Sequence, residues 1–308
     1  MFTWRDGERL IRFGPLAPVD EPYVLLTTER VALAEFVAAA TEVVHVPPGR
    51  VDEISAGLLG RGSFEPDLLL VALGGGRVVD TGKAIAGAIG GRCAAIPTTL
   101  SGAEMTPFHR TPAGVEGARL VRPALVLADP DLMTSAPPQT LAASAMNALA
   151  HAMEALYTPL ANPVASMAAL RAASLLPSDD REHLALGALL AGYASGLTGI
   201  AVHHAVCQTL VRMCGTPHAE TNAVMLPHSA RLMEGRAPEA VREFRAAVAP
   251  HDLSALAARS GHTRLGSLGV EEQRLPEVAE AVAAHPLLGN TPNPPGAEEL
   301  LALLRAAL

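Results

Sequence analysis

Two textures of apolar and polar positions alternate along the first part of the chain. Short runs, YVLLTT (23–28), VVHV (43–46), DLLLVAL (67–73), CAAIPTT (93–99) and ALVLADP (124–130), are apolar throughout, the pattern of strands covered on both faces. Between them RVALAEFVAAA (30–40), VDEISAGLLGRG (51–62) and VVDTGKAIAGAI (78–89) carry helical spacing. Strand followed by helix in this way predicts a mainly parallel sheet with helices on its faces. From Pro137 the texture changes to alanine-rich helix, in QTLAASAMNALAHAMEALYT, PVASMAALRAASLL, REHLALGALLAGYASGLTGI and HHAVCQTLVRM, separated by Pro, Gly or Asp breaks. No strand pattern survives there. DPDLMTSAPP joins turn residues to a helix start and marks the break. The chain therefore reads as an α/β domain over residues 1–136 and an all-helical domain over 137–308.

Composition narrows what such a chain does. With 49% apolar and only 18% charged residues it can bury a large interior, which disfavours disorder. A mean hydropathy of +0.27 would also suit a membrane, yet no uncharged apolar run approaches the ~20 residues needed to cross one. Net charge is −8 with no cluster of lysine or arginine, so nucleic acid is not the expected partner and a small molecule is. MFTWRDGERLIRFG is charged throughout and lacks the apolar core of a signal peptide; the expectation is a cytoplasmic protein. Cys93, Cys207 and Cys214 form no CxxC pair, which indicates neither a disulfide scaffold nor a zinc knuckle.

LLLVALGGGRVVDTGKAIA is a strand, three glycines and a helix. Glycines 74–76 free the backbone to take positive φ and let a ligand approach, while the helix aims unpaired N–H groups at the turn, an arrangement suited to an anion. The spacing is not GxGxxG, and the turn follows the third predicted strand rather than the first, so a different nucleotide fold is implied. IPTTLSGAEMTPF (96–108) follows the next strand as a polar loop able to hold ribose hydroxyls or a nicotinamide amide.

GGGRVVDTGKAIA, IPTTLSGAEMTPF, DPDLMTSAPP, MNALAHAMEALY and GTPHAETNAVMLPH, in this order, resemble the iron-containing alcohol dehydrogenase superfamily, and within it the maleylacetate reductases. The likeness covers residues 20–230 well and the C-terminal helices more loosely. It implies a dehydroquinate-synthase-like fold, with an N-terminal nucleotide-binding domain, a helical C-terminal domain, NAD(P)H and substrate in the cleft between them, and a homodimer. It also implies that Gly74, Gly75 and Gly76 meet the cofactor pyrophosphate, that Thr98 and Thr99 lie near the nicotinamide, and that Asp80 and Lys83, on the helix after the turn, and Thr27 are further cofactor-binding candidates. The family's GGGS reads GGGR here: Arg77 either adds a cation beside the phosphates or crowds them. Thr27 and Thr28 stand where an acidic residue would bind ribose hydroxyls and repel a 2′-phosphate, which leaves NADH and NADPH both open.

MNALAHAMEALY places an amide and an imidazole four apart on a buried helix. Metal-using members of the superfamily have an Asp and a His there and two further histidines, at positions matched here by Asn147, His151, Gln208 and His218. Two of these four are amides, whereas divalent iron or zinc wants imidazole and carboxylate donors, so no metal is expected. Maleylacetate reductases resemble the chain in carrying Asn at the first position and working without metal. Their GLHHKLCHVLGG reads AVHHAVCQTLVRM (201–213): His203 and His204 are kept, while Ala205, Gln208 and Val211-Arg212 are changes. The resemblance implies hydride transfer from NAD(P)H to a carbonyl or activated C=C of a small substrate. His151, His204 and His218 are the catalytic candidates, as donors to developing charge or as the proton source. Asn147, His203, Gln208 and Arg212 are the substrate-binding candidates, with Arg77 and Arg110 as further partners for a carboxylate. Ordinary hydrogen-bonded core is the competing reading of the polar set. The pocket changes also keep open a lyase, dehydratase or cyclase in a biosynthetic pathway, or a non-catalytic homologue.

Overall fold

In the computed structural model, which describes residues 1–31, 33–62 and 64–308, the apolar runs become strands of one sheet. These are β3 (Tyr23–Thr27), β4 (Glu42–His45), β5 (Leu69–Gly74), β6 (Arg92–Pro97) and β7 (Leu125–Ala128), preceded by a hairpin of β1 (Phe2–Asp6) and β2 (Arg9–Phe13). The order is β1-β2-β7-β6-β5-β3-β4, with only β1 and β2 antiparallel. The hairpin is an addition to the predicted strands. Its signal was the pair Asp6-Gly7: Gly7 takes φ +61° in a two-residue turn, a conformation that side-chain-bearing residues avoid.

Why the central strands are apolar throughout is visible in the packing. Leu69, Val71 and Leu73 join Tyr23, Leu25, Phe36 and Ile96 on one face of the sheet. Leu70 and Ala72 join Val24, Leu26, Val79 and Ile85 on the other. Period-two alternation thus feeds two cores, as a sheet covered on both sides requires. The helices of this part are α1 (Ala34–Ala39), α2 (Val51–Leu59), α3 (Gly76–Ile89) and the short α4 (Pro130–Met133). The helix expected over 30–40 starts only at Ala34, because Thr28 and Val31 bridge to each other in a turn; residue 32 of that segment lies outside the described residues.

Two compact units result, Met1–Ser135 and Ala136–Leu308. The second has no strand among its residues. It contains α5 (Pro138–Ala155), α6 (Pro163–Leu175), α7 (Arg181–Thr198), α8 (Val202–Cys214), α9 (His218–Glu234), α10 (Pro238–Val248), α11 (Leu253–Ala258), α12 (Leu275–Ala283) and α13 (Ala297–Ala307). The predicted breaks act as caps: Asn162 accepts from the Ala165 amide, Asp180 from His183 and Asp252 from Ser254 and Ala255. α5 packs against α6, α7 and α9 through alanines that are fully buried, which lets polar groups on the same helix be drawn deep into the unit. Among the described residues no single helix is long and apolar enough to cross a membrane.

Candidate functional site

In the first unit, β3 and β5 are neighbours whose connections leave in opposite directions: β3 leads outward to the edge strand β4, and the chain then returns to the other side for β5. Such a reversal opens a crevice at the carboxyl ends of the strands, the usual ligand position in open α/β sheets. Thr27, Thr28 and the glycine turn 74–76 lie at those two ends.

None of the three glycines takes a positive φ; they serve close approach instead. A Cβ on Gly74 would stand 2.7 Å from Val78, one on Gly75 3.1 Å from Thr99, and one on Gly76 3.1 Å from Ser101. The turn is bare because the loop after β6 lies on it, tied by the Thr98 amide donating to Gly74 at 3.0 Å. No side chain caps α3, so its first amides remain open to an anion. The Thr99 hydroxyl, beside Gly75, is buried without a partner.

Three of the cofactor-binding candidates make contacts within the domain. The Lys83 ammonium is fully buried and donates to Ala103 O (2.9 Å), Thr106 O (3.1 Å) and Phe108 O (2.7 Å) while pairing with Asp80 at 2.7 Å. All three of its protons are directed at loop carbonyls, so Lys83 holds the polar loop in place. Thr27 is likewise spent, its buried hydroxyl donating to the Val31 carbonyl. Arg77, in contrast, is exposed and lines a cavity with Thr28, Glu29, Arg30 and His45.

In the second unit, α5 projects Asn147, His151 and Glu154 from one face, at i, i+4 and i+7. All three are buried. His204 of α8 stacks on His151, with ring centroids 4.2 Å apart and planes at 23°, and meets His203 edge-on at 5.2 Å. Glu154 receives His204 twice: Oε2 lies 2.5 Å from Nδ1, and Oε1 accepts the backbone N–H at 3.3 Å. With two donors on the carboxylate, Nδ1 carries the proton and Nε2 is left as a bare, buried lone pair. His203 is held at both ring nitrogens, by Ser229 Oγ (3.0 Å) and Asn222 Oδ1 (2.9 Å), and Asn222 Nδ2 donates to His218 O at 2.7 Å.

Burial keeps these rings neutral. It pushes His204, with His218 nearby, down to about 3, and His203, with His204 beside it, down to about 4. His151 falls well below the ordinary imidazole range for the same reason, reinforced by His204. Burial raises the Glu154 carboxyl, with the neighbouring imidazoles and backbone amides opposing that rise. Three polar atoms of this cluster are buried with no partner: Asn147 Oδ1, His151 Nδ1 and His204 Nε2. Unpaired groups of this kind cost stability unless something binds them.

The resemblance matches Gln208 with Asn147, His151 and His218; the ring that α8 brings against His151 is that of His204, one turn earlier. Gln208 is half-buried, His218 is exposed at the start of α9, and Arg212 is exposed on the last turn of α8. Arg110 is a surface residue 3.8 Å from Asp52. Glu154 was missed, although a lone carboxylate inside MNALAHAMEALY marks a buried charge in need of a partner.

His151 and His204 cannot both serve as ligands of one metal ion. Lone pairs of imidazole lie in the ring plane, and two nearly parallel stacked rings cannot both aim theirs at one point about 2 Å from each. Asn147 supplies no anion, and among the described residues no three His, Cys, Asp or Glu side chains form a group able to hold an ion.

Two domains of this architecture, an uncapped glycine turn and a buried histidine cluster define a class. The C-terminal domain of the Fe-containing alcohol dehydrogenase family matches residues 141–308, and the chain belongs to that family. It is accordingly an NAD(P)-dependent oxidoreductase. Among individual proteins, it is similar to maleylacetate reductase 1 of Rhodococcus opacus, 35% identical over 240 residues that span 70% of this chain and 67% of that protein. Maleylacetate reductase of Burkholderia cepacia is 34% identical over 299 residues, 88% of this chain and 84% of that one. The crystal structure of maleylacetate reductase from Rhizobium sp. strain MTP-10005 superimposes with a TM-score of 0.80 at 31% identity, covering 93% of this chain and 89% of that chain.

Proposed function

We propose that the protein reduces a carbonyl or an activated carbon–carbon double bond of a small carboxylate substrate with hydride from NADH or NADPH, without a metal ion, as a maleylacetate-reductase-like enzyme. The observation that carries this reading is the set of three buried, unpartnered atoms, Asn147 Oδ1, His151 Nδ1 and His204 Nε2. Hydride arriving at an acceptor leaves negative charge on its oxygen, and in a site with no ion that charge must be met by hydrogen-bond donors. A neutral imidazole is well suited to this, because its N–H donates without the cost of holding a cation in apolar surroundings. His151 has that form and an open nitrogen. His204 then handles the proton: Glu154 fixes the tautomer, and Nε2 is the position at which a proton is taken up and passed on. His203 and Asn222 hold the second layer, linking the cluster to His218. The cofactor side is supplied by the uncapped start of α3 and by Thr99.

The test is oxidation of NADH or NADPH by purified protein, after chelation and metal analysis, with maleylacetate and a panel of 2-oxo and unsaturated dicarboxylates. Turnover by metal-free protein is expected. Turnover that appears only with stoichiometric iron or zinc overturns the metal-free reading. Cofactor binding without oxidation of any panel member favours a lyase, dehydratase or cyclase.

A further inference from the structure

The cavity beside the glycine turn has a chemistry that the shared nicotinamide reading does not require. It occupies about 500 Å³, enough for part of a nucleotide, and lies where the carboxyl ends of β3 and β4 meet the first turn of α3. Its polar lining is Thr28, Glu29, Arg30, His45 and Arg77. Arg30 and Arg77 are both exposed, and among the described residues neither guanidinium has a carboxylate partner. Two fixed cations therefore face one carboxylate, and the uncapped end of α3 adds its partial positive charge on the same side.

A ribose bearing two free hydroxyls gains little from two arginines. A phosphate monoester matches them, because a guanidinium offers paired donors in the geometry of phosphate oxygens. Thr27, whose position would have suited a ribose-binding acid, is buried and bonded to Val31, so no carboxylate projects from the end of β3 itself. Glu29 is the only acidic group on the lining and stands two residues further on.

We infer that this cavity is a 2′-phosphate subsite and that Arg30 and Arg77 make the enzyme prefer NADPH to NADH. The inference rests on the nicotinamide-dependent reading above and goes further by fixing which dinucleotide is used. Glu29 tempers the preference.

Calorimetric titration with NADPH, NADH, adenosine 2′,5′-bisphosphate and adenosine 5′-monophosphate tests it without any turnover. NADPH should bind about tenfold more tightly than NADH, since a charged hydrogen bond at an exposed site is worth that much. The bisphosphate should exceed the monophosphate by a similar factor. Arg30→Ala should lower both ratios severalfold, and Glu29→Gln should widen them; both sites are exposed, and circular dichroism checks that each variant is folded. NADH binding as tightly as NADPH, or ratios untouched by Arg30→Ala, overturns the phosphate subsite while leaving the reductase reading intact. Failure of every nucleotide to bind removes the reductase reading as well.

Discussion

Glu104 offers the sharpest test of how the polar loop over α3 is built. It is fully buried, and neither of its carboxylate oxygens meets a donor. Burial pushes its carboxyl up to about 7, with its own backbone amide, Lys83 and Arg9 opposing the rise. In an unfolded chain the same group titrates near about 4.3. Below that value both states hold the proton and the native state is not penalised. As the pH climbs, the unfolded chain ionises first, and the folded protein is left with either a proton held against the solvent or a charge in apolar surroundings. Stability is therefore lost with rising pH, up to and through about 7. At 1.4 kcal/mol per pH unit this amounts to about 3 kcal/mol between pH 4 and pH 8. Glu104→Gln keeps the shape and removes the titration. Urea unfolding of both proteins at constant ionic strength should show the variant gaining on the wild type by that amount from pH 4 to pH 8. A difference that stays flat with pH would show that the carboxylate is solvated or paired, and would refute the reasoning.

Other expectations follow from single contacts. Glu154→Gln, which weakens the hold on His204 Nδ1, should lower kcat about 100-fold while dinucleotide binding measured by fluorescence is kept. Lys83→Met should cost about 3–5 kcal/mol in denaturant unfolding, since it strands Asp80 and three loop carbonyls. Gly74→Ala should destabilise by about 1–3 kcal/mol, because its Cβ would stand 2.7 Å from the β-branched Val78; adding Val78→Ala should recover most of the loss in the same assay.

Much of the architecture was legible because local and long-range demands agree. Strands buried on both faces read as unbroken apolar runs, and alanine-rich helices read by their period. The N-terminal hairpin was hidden by its charges: in β2, Arg9 and Arg12 interrupt the apolar positions, and Arg9 is buried only because Pro123, Glu104 and Asp6 offer it oxygen atoms from distant or neighbouring loops. The glycine triplet announced a tight place, but not that Val78, Thr99 and Ser101 create it. At the histidine cluster, the sequence alone names the candidates but not their neighbours. Residues 204 and 208 share one face of α8, so a four-residue interval cannot say which of them meets α5; that is decided by the docking of two helices, expressed in the stacking of His151 on His204. Nothing in the helix that carries Lys83 shows the three carbonyls that surround its ammonium.

That lysine grips main-chain oxygens, which every residue type carries, so the path of 103–108 is encoded outside the segment it governs. The carbonyls of Ala103 and Phe108 would accept the same bonds whatever side chains those positions carried. One distant ammonium acts as the mould on which that segment is cast.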